Sequence, residues 1–156
     1  MNWRAWEIAS THPSRVILLV EDNEDHAEMI RAFLSEDDSD NQVHWVKDGQ
    51  EAIDFVHREG IHADAPRPTL IILDLNLPKA NGFDVLRSIK EDDKLKIIPV
   101  VMLTTSDRHE EMLKCYRLGV NSFITKPVRF DDYLEKLQSL NSYWFVTNRG
   151  PSHDSA

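Results

Sequence analysis

The chain reads as a doubly wound α/β domain, a mainly parallel sheet enclosed by helices. Three observations carry that expectation. The apolar runs Val16–Val20, Leu70–Leu73 and Val100–Leu103 are nearly continuous rather than alternating, as strands are when both faces of a sheet are covered. Stretches between them repeat apolar residues at helical spacing. Strand and helix patterns then alternate along the chain in five βα units. A length of 156 residues suits one core.

Taken in order, strand 1 is Val16–Val20, followed by a helix whose face is Ala27, Ile30, Phe33 and Leu34. Residues 35–42, SEDDSDNQ, read as a solvated acidic loop, lacking the glycine and terminal glutamate of a calcium loop. Strand 2, Val43–Val46, alternates, with His44 and Lys47 interrupting, and is placed at an edge. A second helix starts at Asp48-Gly49 and presents Ala52, Ile53, Val56 and His57. The proline-containing stretch 61–68 reads as a loop. Strand 3 is Leu70–Leu73, and Asn81-Gly82 turns the chain into a helix with Val85, Leu86 and Ile89. After strand 4, Ser106 is the expected N-cap of a helix carrying Met112, Tyr116 and Leu118, which Gly119 stops. Phe123-Ile124 make strand 5, and Phe130, Leu134, Leu137 and Leu140 mark the last helix.

Composition narrows the partners and the compartment. An apolar fraction of 41% is ordinary for a globular chain. A formal net charge of -9 argues against nucleic acid as a partner, since phosphate contacts need clustered lysine and arginine. No apolar run approaches the roughly 20 residues of a membrane span. The start, MNWRAWEIAS, lacks the apolar stretch of a secretory signal. A lone Cys115 excludes an internal disulfide and fits a reducing compartment. A cytoplasmic address follows as the expectation.

The chemistry gathers where the strands end. In open α/β sheets, ligands sit beyond the carboxyl ends of the strands. Strand 1 is followed by Glu21-Asp22-Asn23, strand 3 by Asp74, strand 4 by Thr104 and strand 5 by Lys126-Pro127. Three crowded carboxylates resist simultaneous ionisation, and a divalent cation relieves them. Oxygen ligands without histidine or cysteine select a hard ion, Mg²⁺ or Mn²⁺. A carboxylate so placed is a candidate nucleophile toward phosphorus, with metal and Lys126 neutralising the transferring group and Thr104 bonding its oxygens. Singly, each residue also has a plain role, as cap, Asx-turn or strand end; their convergence is what carries the reading. His26 and His109 lie near this edge and are taken as surface residues.

The segments VILLVEDN, LIILDLNLP with Asn81-Gly82, VVMLTT and SFITKP closely resemble the receiver domain of two-component response regulators, over residues 14–142. The resemblance implies a flavodoxin-like sheet of strand order 2-1-3-4-5. It implies that Asp74 accepts a phosphoryl group from a sensor histidine kinase. Asp22 and Asp74 would bind Mg²⁺ by side chain, Asn76 by backbone carbonyl and Glu21 through water, while Thr104 and Lys126 would hold the phosphoryl group. Phe123 stands at the switch aromatic, and Pro127 where the family commonly has a cis Lys-Pro bond. Two residues depart from the common pattern: Glu21 stands where many members have Asp, and Thr105 where many have Ala or Gly, which bears on access to the phosphoryl group. A narrower resemblance, in APRPTLIILDLNLPKANG, VLRSIKEDDKLKIIPVVMLTTS and the aromatic C-terminal end, is to the regulators paired with bacterial and cyanobacterial phytochromes.

Domain expectations follow: an N-terminal arm over 1–13 with Trp3 and Trp6, the receiver over 14–142, an aromatic-containing tail over 143–156, and no output domain. Helix 5 and the tail, with Tyr143-Trp144-Phe145-Val146, are the expected dimer or docking surface, the alternative being that these residues extend helix 5 and cover the chain's own core. Two other readings compete. A haloacid dehalogenase-like phosphatase would place a second aspartate two residues after the first, where this chain has Asn76. A phosphorylation-independent pseudo-receiver would not need the intact set Asp22, Asp74, Thr104 and Lys126.

Overall fold

The computed structural model describes residues 15–37 and 41–144. Five strands, β1 (Arg15–Val20), β2 (Asn41–Val46), β3 (Leu70–Leu73), β4 (Val100–Thr104) and β5 (Ser122–Thr125), alternate with helices α1 (Glu24–Asp37), α2 (Gly49–His57), α3 (Gly82–Lys90), α4 (His109–Arg117) and α5 (Phe130–Ser142). The strands form one sheet in the order β2-β1-β3-β4-β5, and every pairing is parallel. The expected strand order and the edge position of β2 both hold.

Alternation along the strands builds two cores. Leu18, Val20, Ile71, Leu73, Val100 and Met102 face one layer, where α2, α3 and α4 supply Phe55, Val56, Leu86, Ile89 and Cys115. Ile17, Leu19, Leu70, Ile72, Val101 and Leu103 face the other, where α1 and α5 supply Ile30, Leu34, Tyr133, Leu137 and Leu140. Burying each large aliphatic side chain contributes roughly 1.5–3 kcal/mol, so continuous apolar runs at the sheet centre are what both layers require. Two helices start as expected. Asp48 caps α2 by accepting from the Glu51 N–H at 2.8 Å. Asn81 caps α3 in a reciprocal box with Asp84.

Several local expectations are corrected. The acidic stretch 35–42 is not all loop: α1 runs to Asp37 and β2 begins at Asn41. The 61–68 segment shares a 3₁₀ turn, Gly60–His62. Ser106 does not cap α4, which starts at His109; its hydroxyl is engaged by the Glu111 carboxylate instead. The buried residue of α4 is Cys115 rather than Tyr116, which is 48% exposed. Gly119, at φ 101°, does end that helix. On α5, Tyr133 takes the core position and Leu134 is half-buried. No described peptide bond is cis, so Lys126–Pro127 is trans; the small preference at prolyl bonds, about 0.5–1 kcal/mol, leaves context to choose. Tyr143 and Trp144 extend α5 with an edge-on ring contact at 5.1 Å, and Trp144 packs against the α1/α5 core. Trp3, Trp6, Phe145 and Val146 lie outside the described residues. Among the described residues no helix is long and apolar enough to cross a membrane.

Candidate functional site

The sheet ladder continues one residue past the strands and fixes the acids there. The Glu21 N–H donates to the Val46 carbonyl at 3.1 Å, and the Asp74 N–H to the Val20 carbonyl at 3.0 Å. Thr104 is the last residue of β4, and the Lys126 N–H donates to its carbonyl at 2.6 Å. Gly82 lets α3 start close behind Asp74: a Cβ there would meet the Asp74 carbonyl oxygen at 2.6 Å. Four strand ends therefore converge, as expected from the sequence.

These four are the buried polar side chains of the described core. Glu21 is 2% exposed, Asp74 7%, Thr104 0% and Lys126 6%. Asp22 is exposed at the mouth. Carboxylate oxygens of Glu21, Asp22 and Asp74 lie within 4.8 Å of one another, an all-oxygen set that fits a hard divalent cation. The Lys126 Nζ donates to Asp74 Oδ2 at 3.2 Å and to Glu21 Oε1. Burial pushes the Glu21 carboxyl up to about 7, against the pull of Lys126, and the neighbouring Asp74 adds to the rise. Both Glu21 oxygens are bonded, Oε1 by Lys126 and Oε2 by the Asn23 N–H at 3.2 Å, and a second cation would ease the repulsion among the three carboxylates.

The remaining expected residues surround this group. The Asn76 N–H donates to Asp74 Oδ1 at 3.3 Å, and its side chain is exposed. Thr104 Oγ1 accepts from the Ser106 N–H at 3.2 Å. Phe123, paired with Met102 across β4 and β5, is half-buried against the α2–α4 core. Thr105 is exposed, as are His109 and the 104%-exposed Val128 beyond Pro127. A hydrogen bond from the Thr125 hydroxyl to the Ser106 carbonyl, 3.2 Å, ties β5 to the loop after β4.

Three residues join the site that sequence reasoning did not place there. His26 is not a plain surface residue: its Nδ1 lies 3.2 Å from Lys126 Nζ and 3.9 Å from Glu21 Oε1. Burial, and then the Lys126 charge, lower its pKa. Trp45 Nε1 donates to the Glu21 carbonyl at 2.7 Å, with Lys47 Nζ 4.9 Å from the ring centroid. Tyr133 faces His26 from α5, with ring centroids 5.8 Å apart. Only the helical register of α5, with Tyr133, Leu137 and Leu140 on one stripe, could have found the last.

The arrangement can hold a dication and present one carboxylate, Asp74, between that ion and an ammonium. Comparison with known proteins agrees. The family profile described as response regulator receiver domain matches residues 17–138. Response regulator Rcp1 of Synechocystis sp. is 39% identical over 137 residues, covering 88% of this chain and 93% of the relative. The solved Mn²⁺-bound form of response regulator Rcp1 matches with a TM-score of 0.85 at 38% identity, covering 88% of this chain and 99% of that one. The phosphorylated cyanobacterial phytochrome response regulator RcpA matches with a TM-score of 0.85 at 40% identity, over the same shares.

Proposed function

The chain belongs to the response regulator receiver domain family, and from that premise we propose that Asp74 accepts a phosphoryl group from a phosphohistidine of a sensor kinase. The observation that carries this is the buried Lys126 ammonium shared between Asp74 and Glu21 at the carboxyl edge of the sheet. An Asp74 carboxylate oxygen attacks phosphorus, the phosphorus–nitrogen bond breaks, and its electron pair leaves on the imidazole. Asp22 and Asp74 would hold Mg²⁺ or Mn²⁺ by side chain, Asn76 by carbonyl and Glu21 through water. That ion supplies neutralisation of charge on the transferring oxygens. Lys126 supplies a second positive charge within reach of Asp74.

The resting geometry gives the switch its cost and direction. Lys126 donates to Glu21, Asp74 and His26, which uses all three ammonium protons. Bonding a phosphoryl oxygen therefore requires it to leave at least one of them. The Thr104 hydroxyl accepts from Ser106 and keeps its own proton to give to the phosphoryl group. Its movement would carry the loop after β4 and release space beside Phe123, altering the α4–β5 side of the molecule.

Incubation with Mg²⁺ and acetyl phosphate, followed by intact mass, tests the assignment. One added phosphoryl group is expected, and none in Asp74→Asn; uptake undiminished in that variant would overturn it. The similarity to Rcp1 and RcpA supports a phytochrome-type histidine kinase as the donor, a cytoplasmic pairing checked by transfer from such a kinase after autophosphorylation. We further assign homodimer contacts to the end of α5, where Tyr143 is 49% exposed. Sedimentation of a chain ending at Ser142 checks this, an unchanged dimer being the contrary result.

A further inference from the structure

Tyr133 is buried, at 4% exposure, yet its hydroxyl finds no hydrogen-bond partner. Among the described residues only Asn41 Oδ1 shares that condition. A buried, unpaired hydroxyl is costly where phenylalanine would fill the same space. Leu103, Ile124, Pro127, Lys136, Leu137 and Leu140 line the space beside the ring, and among the described residues the one ring in contact with it is His26, 5.8 Å away at a tilt of 35°.

His26 in turn is engaged by Lys126. Lys126 Nζ lies 3.2 Å from His26 Nδ1, and an ammonium can only donate, so Nδ1 carries a lone pair in the resting state. Lys126 has no proton to spare for a phosphoryl oxygen while it also serves Glu21, Asp74 and His26. His26 is the one uncharged partner of the three and so the weakest hold; when Lys126 turns to the phosphoryl group, His26 Nδ1 becomes an acceptor without its donor. The Tyr133 hydroxyl is a donor without an acceptor, on the neighbouring ring.

We propose that Tyr133 is a positioning residue reserved for the phosphorylated state, its hydroxyl donating to the His26 nitrogen that Lys126 leaves. The inference rests on Asp74 being the phosphoryl acceptor. In the resting state the Tyr133 hydroxyl is unsatisfied; in the phosphorylated state the pair is satisfied and Lys126 is kept from returning to His26. Tyr133 sits on α5, so the exchange also ties the site to that helix.

The test compares the chain with Tyr133→Phe, each phosphorylated with acetyl phosphate and Mg²⁺, freed of donor, and followed by intact mass. One neutral hydrogen bond predicts phosphoryl loss about three- to ten-fold faster in Tyr133→Phe. The melting temperature of the resting chain should be unchanged or higher, because only an unpaired hydroxyl is removed. In a His26→Leu background, Tyr133→Phe should have no further effect on phosphoryl loss. Equal lifetimes with the phosphoryl group present on Asp74 would overturn the Tyr133 role alone. So would a lowered resting melting temperature, or an undiminished effect in the His26→Leu background. Failure of both chains to gain a phosphoryl group would overturn the Asp74 assignment, and this inference with it.

Discussion

In the absence of metal, raising the pH from 5 to 8 should weaken the fold by about 2–3 kcal/mol through Glu21 alone. The carboxyl stands at about 7 in the folded chain against 4.5 for the free group, chiefly because it is buried. A raised folded value means that the folded state holds the proton more tightly. The corresponding stability is fully present below pH 4.5 and is lost as pH rises through about 7. At about 1.4 kcal/mol per pH unit, most of that interval falls between pH 5 and 8. Glu21 is 2% exposed, so solvent screening takes little from the figure. His26 works in the opposite sense: its lowered pKa makes stability rise with pH as the unfolded imidazole loses its proton. Urea melts at pH 5, 6, 7 and 8 in EDTA, at constant ionic strength, should therefore be read as the difference between the chain and Glu21→Gln. That variant keeps the histidine contribution and lacks the carboxyl. The difference should fall across the range, and Mg²⁺ should stabilise the chain more at pH 8 than at pH 5, because it competes with the proton. Parallel pH curves for the two chains would refute the reasoning.

One further substitution and one reagent probe the surroundings. Gly82→Ala places a Cβ 2.6 Å from the Asp74 carbonyl oxygen and 2.7 Å from Leu75 Cα, both backbone, so it should cost about 1–3 kcal/mol in urea melts and slow phosphoryl uptake at Asp74; an unchanged midpoint would contradict it. The Cys115 thiol is fully buried and pushed up to about 11, mainly by burial, so a thiol-specific disulfide reagent at pH 8 should label the chain only in denaturant, and rapid native labelling would contradict the packing of α4.

What was legible in the sequence divides along physical lines. Continuous apolar strands ending in Glu21, Asp74, Thr104 and Lys126 announced both the parallel sheet and its functional edge, because burial on two faces and a ligand at the carboxyl end each leave a residue pattern. Asp48 and Asn81 were legible because a cap needs a short acceptor at a fixed offset. Ser106 looked like such a cap, but the Glu111 carboxylate five residues on competes for its hydroxyl. Tyr116 and Cys115 are adjacent, and spacing alone does not say which one faces the sheet. His26, Trp45 and Tyr133 join the site through contacts between α1, β2 and α5, which no local pattern encodes. Trp45 acts through a backbone carbonyl, which leaves no trace in side-chain chemistry.

The distance along the chain between partners has a consequence for synthesis. Glu21 and Lys126 are 105 residues apart, and Asp74 and Lys126 are 52 apart. A chain emerging from the ribosome, N-terminus first, displays its acids long before β5 can dock and deliver the ammonium. Until then the carboxylates lack the counter-charge that Lys126 brings. The ammonium half of the site is therefore the last to be made, arriving with β5.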